Sequence, residues 1–171
     1  MSPVLDLIKN YWTKNIQKAD QEFFKRNLNG RYISHIGTGN FAIRSSTMKR
    51  LMFDSNTEGL EDFELCLRLK GIAKIRFFPT IKVGHHHPSS FQKYVKNSFQ
   101  RGYWVKKIFE KHKKNIDIEK EPMFESLSFK NFLFFPFWMI LQFIKRPIGE
   151  AYFTLVSEVS WRAGILWAIL F

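Results

Sequence analysis

Two adjacent carboxylates are the first residues in this sequence that could do chemistry. Glu61 and Asp62 precede an apolar stretch that is typical of a short helix. A carboxylate held at the start of a helix can act as a general base, taking a proton from a hydroxyl group. The same position also suits simple capping, in which Asp62 accepts backbone N–H groups at the positive end of the helix. The residues alone leave both interpretations open.

Three consecutive histidines form a second candidate cluster. They end a stretch rich in β-branched and aromatic residues, which predicts an extended strand. Side chains alternate along a strand, so His85 and His87 should share one side and His86 should face the other. Such an imidazole pair can join carboxylates in binding a divalent cation, whereas three exposed histidines in a basic loop can equally be solvated. His35 and His112 lack this pattern and are interpreted as structural.

A glycine-rich segment, GTGNFAIR, is the third candidate. Its glycines would let a sugar or a phosphate approach the backbone closely, although a bare tight turn explains them equally well. Arginines in and beyond the segment could contact phosphate, and simple solvation of these cations is the alternative. The resulting candidates for substrate contact are Gly37, Thr38, Gly39, Asn40, Arg44 and Arg101.

Hydrophobic spacing predicts the elements that carry the first of these residues. Apolar residues at three- and four-residue steps predict an amphipathic helix that opens near Pro3 and fades between residues 20 and 24. Two short extended pieces joined by GTGN are predicted for residues 31–44. Ser45 or Ser46 should then cap a short helix.

The elements that follow are predicted in the same way. A short helix over residues 62–70 should be stopped by a glycine, and residues 72–88 should form two short strands or one bent strand. A serine should cap a long basic helix over residues 91–114. The histidines would therefore lie between a strand and this long helix.

The C-terminal segment is strongly apolar. Residues 132–144 make up about half to two-thirds of the ~20 residues needed to cross a bilayer, and a proline and a glutamine interrupt them. The last segment carries Glu150, Glu158 and Arg162 on an otherwise apolar helix. This pattern is typical of interfacial helices or of a shallow helical hairpin.

Composition narrows the classes of partner. The chain has 171 residues, a formal net charge of +12 and 19 Phe, which indicates one domain with an anionic partner and some contact with lipid. Cys66 is the single cysteine, which excludes an internal disulfide framework and any cysteine-based zinc site. No nucleic-acid-binding motif accompanies the charge, so a membrane surface or a phosphorylated substrate is predicted, and not nucleic acid.

The candidate motifs occur in a fixed order along the chain. They are GTGNFAIR, LEDFELCLRLKG, IRFFPTIKVGHHHP and SSFQKYVKNSFQRG. In this combination they resemble the C-terminal half of the catalytic domain of inverting family 2 glycosyltransferases, whose fold is of the GT-A type. The resemblance covers residues 37–102.

The resemblance implies a role for each chemical residue. It makes Asp62 the base that deprotonates an acceptor hydroxyl and Glu61 an acceptor-contacting neighbour. It favours His85 as the histidine on the metal side, with His87 near the diphosphate or the acceptor. The implied partners are a nucleotide-sugar donor and a glycan or lipid-linked acceptor. The implied cofactor is a divalent metal, Mg²⁺ or Mn²⁺, bound mainly by the other half of the catalytic domain.

The resemblance also sets the expected fold. Members of the family carry a nucleotide-binding half with an Asp-x-Asp motif ahead of the part seen here, and no such segment precedes Gly37. We therefore expect an α/β chain with a partial GT-A-like (nucleotide-diphospho-sugar transferase) fold lacking its N-terminal nucleotide-binding half, followed by apolar C-terminal helices. A partner chain could supply the missing half.

The expected organisation has three parts. Residues 1–30 would form a helix and linker, residues 31–115 the C-terminal half of the catalytic domain, and residues 116–171 a membrane-associated helical tail. The catalytic part would be cytoplasmic. The alternative is a noncatalytic basic module on a membrane surface, derived from such an enzyme.

Overall fold

The computed structural model describes residues 4–7, 9–35, 37–114 and 121–171. The chain forms two compact units, Met1–Ser89 and Ser90–Phe171, called here the N-terminal and C-terminal units. It is rich in helix, with small sheets and an apolar C-terminal helix. The prediction of a mixed α/β chain that ends in apolar helices is confirmed at this level. The GT-A arrangement and the three-part division stay predictions.

Short strands organise the N-terminal unit into two small sheets within the described residues. The strands are β1 (Val4–Asp6), β2 (Leu28–Asn29), β3 (Tyr32–Ile33), β4 (Ile75–Arg76) and β5 (Val83–His85). β1 pairs with β5 in parallel, and β2, β3 and β4 form an antiparallel sheet in that order. The predicted extended pieces before GTGN and after residue 72 are therefore present.

The first helix, α1 (Tyr11–Asn27), begins later than predicted. Asn10 caps it: the Asn10 Oδ1 accepts the Thr13 N–H at 3.0 Å, and the Thr13 Oγ1 accepts the Asn10 N–H at 3.0 Å. This reciprocal pair fixes the start of the helix. The predicted start near Pro3 is wrong because Val4–Asp6 pairs with β5 instead.

Two shorter helices follow. The helix α2 (Ser45–Leu51) starts after Arg44, which has no side-chain capping bond, so the predicted serine cap is wrong. The helix α3 (Glu61–Leu69) agrees with its prediction, and Gly71 follows it with a left-handed φ of 79°. The inner face of α3 is the core of this part of the unit, built from Leu65, Cys66 and Leu69 with Phe41, Ile43, Met48, Leu51 and Ile75 packed against it.

Helices make up the C-terminal unit. The long helix α4 (Phe91–His112) is capped by Ser90, whose Oγ accepts the Lys93 N–H, so the predicted cap and helix are confirmed. The apolar segment forms α5 (Phe129–Leu133), α6 (Phe135–Lys145) and α7 (Ile148–Leu170). In the described part of the chain, α7 alone is long and apolar enough to cross a membrane.

The helices α4 and α7 meet backbone to backbone. A Cβ atom added to Gly102 of α4 would lie 1.9 Å from the Trp161 carbonyl oxygen of α7. One added to Gly164 of α7 would lie 2.0 Å from the Phe99 carbonyl oxygen of α4. Glycine at both positions therefore lets the two helices approach more closely than any side chain would allow.

Candidate functional site

Asp62 lies at the second position of α3. Its Oδ1 accepts the N–H of Phe63, the next residue, at 2.8 Å. The N-cap of α3 is Leu60, which has no side-chain capping bond, so the prediction that Asp62 caps the helix is wrong. Glu61, its neighbour, is the first residue of the helix, and both residues are half-buried. The role of Asp62 as a base and that of Glu61 in acceptor contact stay predictions.

Strained backbone lies directly before this carboxylate pair. Leu60 has a φ of 56° and Met52 a φ of 53°, both in the left-handed region that bulky residues rarely adopt. Between them, the Asp54 Oδ2 accepts the hydroxyl of Thr57 at 2.6 Å and holds the loop in shape. Strain of this kind costs on the order of 1–3 kcal/mol per residue and is concentrated at functional sites. The strain is therefore an independent indication that the start of α3 belongs to a functional site.

A buried ion pair that sequence reasoning missed fixes the direction of α3. The Arg68 Nε donates to both carboxylate oxygens of Glu64, at 3.0 and 2.8 Å. The same guanidinium donates to the carbonyl oxygens of Leu51 and Met52 at the end of α2. The spacing of Glu64 and Arg68, four residues apart in a helix, was the available signal. Because this pair ties α3 to α2, it orients the carboxylates at the start of α3.

The glycine-rich segment forms a tight turn. Residues Thr38–Asn40 make one turn of 3₁₀ helix, and the Asn40 N–H donates to the Gly37 carbonyl oxygen at 3.2 Å. A Cβ atom at Gly39 would meet no atom within 4 Å. The backbone at Gly39 is therefore open to an approaching group, as close ligand approach requires. The turn foreseen as the alternative is also present.

The residues after this turn attach it to α3. Phe41 and Ile43 pack against the apolar inner face of the helix, two residues apart in an extended stretch. Arg44, just beyond them, is exposed and precedes α2. The structure thus places the glycine-rich segment and the helix of Asp62 on one shared core.

His35 belongs to this core. Its ring stacks on that of Phe63 with a centroid distance of 5.5 Å, and its Nδ1 lies 2.7 Å from the Ser34 Oγ. Burial, and secondarily the charge of Lys70, lower the pKa of His35 to about 4. The imidazole is therefore neutral at ordinary pH and packs as an aromatic ring, as interpreted from the sequence.

The histidines of the second cluster lie close together. The rings of His85 and His87 have a centroid distance of 4.9 Å and an interplanar angle of 80°, so the prediction that they share a side is confirmed. The His87 Nε2 lies 3.7 Å from the Asp20 Oδ2 of α1. Asp6 is the register partner of His85 in the parallel pair of β1 and β5. No local signal in the sequence pointed to Asp20, because tertiary packing alone brings α1 to this strand.

The helix α1 connects the two clusters. Asp20 lies one turn before Phe23, whose ring is 5.3 Å from that of His35. His35 in turn stacks on Phe63, the residue after Asp62. Within one unit, α1 therefore contacts His87 through Asp20 and contacts His35, the ring beside the start of α3, through Phe23. The meeting of Asp62 and His85 in a single cleft stays a prediction.

A metal site requires more ligands than this cluster provides. Over residues 4–7, 9–35, 37–114 and 121–171, no three side chains of His, Cys, Asp or Glu are grouped so that they could hold an ion. His85 and His87 form a pair, whereas Mg²⁺ and Mn²⁺ prefer about six ligands, mainly oxygen. The predicted divalent metal therefore stays a prediction.

A cavity of about 330 Å³ lies elsewhere in the N-terminal unit. Its walls are Leu28, Gly30, Arg31, Arg76, Phe77, Phe78 and Pro79. None of the residues predicted to bind substrate lines it.

Arg101 belongs to the C-terminal unit. It is exposed on α4, and its guanidinium lies 5.8 Å from the ring centre of Trp161. This cation–π contact gives Arg101 a packing role within its own unit. Its predicted contact with substrate stays a prediction.

Comparisons with known proteins were made by sequence and by structure. No protein-family model, no curated protein and no solved structure matches the chain. Function is therefore inferred from the residues and their geometry.

Proposed function

We propose that the N-terminal unit forms the acceptor side of an inverting sugar transferase. The observation that carries the proposal is the entry to α3, where a carboxylate pair follows a strained left-handed residue, Leu60. The core of the same helix holds the glycine-rich turn, whose backbone is open at Gly39. The motif order that resembles family 2 glycosyltransferases supports the same assignment.

In this proposal Asp62 is the base. Its carboxylate takes the proton of an acceptor hydroxyl as the hydroxyl oxygen attacks the anomeric carbon of a nucleotide sugar. The bond from that carbon to the diphosphate breaks, and its electron pair leaves with the phosphate oxygen. Attack from the face opposite the leaving group inverts the configuration of the sugar. The proton remains on Asp62 until it is lost to water.

The remaining candidates position the reactants. Glu61 and the backbone at Gly39 and Asn40 would hold hydroxyls of the acceptor. Arg44 and His87 would lie toward the negative charge of the diphosphate. The part of the donor site that binds the nucleotide would come from further sequence or from a partner chain.

Replacement of the base tests the proposal. The assay measures transfer of labelled sugar from a panel of nucleotide sugars to glycan and lipid fractions, with the donor-binding segment or partner present. Asp62→Asn keeps the volume of the side chain but removes the base, so we expect transfer to fall by at least about 100-fold. Glu58→Gln, a matched change in the exposed loop before α3, should leave transfer unchanged.

Full transfer by the Asp62→Asn variant would refute the proposed mechanism. Absence of transfer from every donor by the wild-type chain would favour the second candidate, a noncatalytic module on a membrane surface. The specific observation behind that candidate is the apolar surface of the C-terminal unit, on which α5, α6 and α7 expose large aliphatic and aromatic side chains.

A further inference from the structure

The helix α7 carries an unbroken apolar stripe on its outer side. The stripe consists of Ile148, Tyr152, Leu155, Val159, Ala163, Leu166 and Leu170, which recur at three- and four-residue steps and so share one face. Ile148 is 80% exposed and Leu170 is 73% exposed. A helix of 23 residues is about 34 Å long, and no member of the stripe is charged at neutral pH.

A second apolar stripe follows α5 and α6. It consists of Phe129, Leu133, Phe137, Ile140 and Ile144, again at three- and four-residue steps. Phe137 is 63% exposed and Ile144 is 73% exposed, whereas Met139 on the other side of α6 is buried. Soluble monomers rarely expose apolar surface on this scale. The two stripes together therefore require a covering partner.

Arg162 of α7 borders the stripe, one turn from both Val159 and Leu166, but its side chain is only 13% exposed. Arg162 forms an ion pair with Glu158 one turn earlier in the same helix. The Arg162 guanidinium also lies 5.7 Å from the ring centre of Phe132 and 4.1 Å from that of Phe135. These contacts hold the charges between α7 and the segment of α5 and α6, so the outer stripe remains apolar.

The basic side chains of α4 form a stripe on the opposite side of the helix pair. Lys93, Lys96, Lys107 and Lys111 share one face of α4, about 150° from the face that is buried against α7. The glycine crossing fixes this arrangement. The apolar stripe of α7 and the basic stripe of α4 are thus separated by the thickness of two helices, about 20 Å.

We propose that the two apolar stripes seat the C-terminal unit in one leaflet of an anionic lipid bilayer. The helix α7 then lies in the plane of the membrane, and the basic stripe of α4 faces the water. A spanning α7 would draw the lysines of α4 into the hydrocarbon, because the backbones of the two helices are in contact. The seating depends on the apolar stripes and not on the sugar-transfer proposal.

Charge decides between a bilayer and a second copy as the covering partner. The edges of the apolar stripes carry Lys130, Lys145 and Arg146, which suit the phosphate groups of anionic lipids. Two copies of a chain with a net charge of +12 would instead bring like charges together. The bilayer is therefore the occupant with complementary charge.

Sedimentation of the full chain with phosphatidylglycerol–phosphatidylcholine vesicles tests the seating. Ile140→Ser combined with Leu166→Ser should lower vesicle affinity by at least about tenfold, because it removes one large apolar group from each stripe. The matched control, Lys93→Gln combined with Lys96→Gln on the basic stripe, should leave affinity unchanged. An equal loss in the control would overturn the proposal. A wild-type dimer that ignores vesicles and dissociates in the stripe variant would favour the second copy.

Fluorescence quenching by brominated lipids measures the depth of the middle of α7 and needs no polar substitution in the stripe, so this test remains valid if the stripe variant does not fold. The probe is Val159→Trp, a change at the middle of α7 on its exposed stripe, and its signal is the part gained over the wild-type chain. Bromines near the headgroups should quench this signal most strongly, because a helix in the plane of the membrane keeps its middle near the headgroup boundary. Strongest quenching by bromines at the ends of the acyl chains would place the middle of α7 at the centre of the bilayer, which would show a spanning helix and refute the in-plane arrangement.

Discussion

The carboxylate of Asp62 is oriented by the backbone of its own helix. Its Oδ1 accepts the N–H of Phe63, the next residue. A carboxylate offers about four lone-pair sites, so this bond gives the carboxylate a defined direction and is compatible with proton transfer. The ion pair of Glu64 with Arg68 adds to this by fixing the helix itself.

His35 should make the stability of the N-terminal unit depend on pH. Its pKa is about 4 in the folded chain against 6.5 when unperturbed, so between these values only the unfolded chain takes up the proton. Stability should therefore be constant above pH 6.5 and should fall toward pH 4, by at most about 3 kcal/mol. Urea unfolding measured across this range gives the slope.

A comparison of variants isolates the contribution of His35 from that of the carboxylates. His35→Phe keeps an aromatic ring beside Phe63 but cannot titrate, so its stability should fall less steeply as the pH drops. His86→Gln, which changes an exposed histidine, should keep the wild-type slope. If the unfolding free energies of wild type and His35→Phe change with pH in parallel, the burial of His35 does not make stability depend on pH.

Gly39 distinguishes a ligand-binding turn from a purely structural one. A methyl group there would meet no atom within 4 Å in the free protein, so Gly39→Ala should leave the melting temperature within experimental error. If the acceptor approaches this backbone, the same change should raise the KM for the acceptor by about tenfold or more. An unchanged KM would indicate that the glycine serves the turn alone.

At the scale of elements, disruption of the crossing of α4 and α7 should measurably lower the free energy of unfolding. Gly102→Ala would place a methyl group 1.9 Å from the Trp161 carbonyl oxygen, which forces the helices apart. We expect a loss of about 2 kcal/mol or more in unfolding free energy, although alanine is intrinsically the better helix former by about 1 kcal/mol. Chemical denaturation monitored by circular dichroism measures this loss.

The control for this change is a larger side chain on the open face of α7. Ala163 lies on the exposed stripe, so Ala163→Leu adds more volume than Gly102→Ala without meeting α4. Its unfolding free energy should stay close to that of the wild type. Equal destabilisation by both variants would mean that added volume lowers stability on the exposed face of α7 as much as at the glycine crossing. The close approach at the glycines would then not explain the loss.

Elements with local signals could be predicted, and those with distant partners could not. The helices α3 and α4 agree with prediction because a following glycine and a capping serine lie within a few residues of their ends. The start of α1 was placed too early because the pairing of β1 with β5 is not visible in nearby sequence. The role of Gly102 has no local signal, since α7, which requires a glycine there, is remote in the chain.

At the scale of the whole molecule, composition predicted the partner of the protein surface better than the motifs did. The net charge and the phenylalanine content predicted an anionic, lipid-like partner. They could not show that the basic and apolar groups of the C-terminal unit lie on opposite sides of a helix pair, which depends on the face each helix buries. The candidate site has the same limit: its carboxylates and histidines could be selected from the sequence, whereas Asp20 could not.

The parallel pairing of β1 with β5 has a consequence for synthesis of the chain. Val4–Asp6 leaves the ribosome roughly 80 residues before its partner Val83–His85 exists. During that interval β1 is an unpaired strand that can bind a chaperone or another nascent chain. The strand that completes this sheet also ends in His85, so the unit acquires its last proposed site residues at the moment when its earliest strand finds a partner.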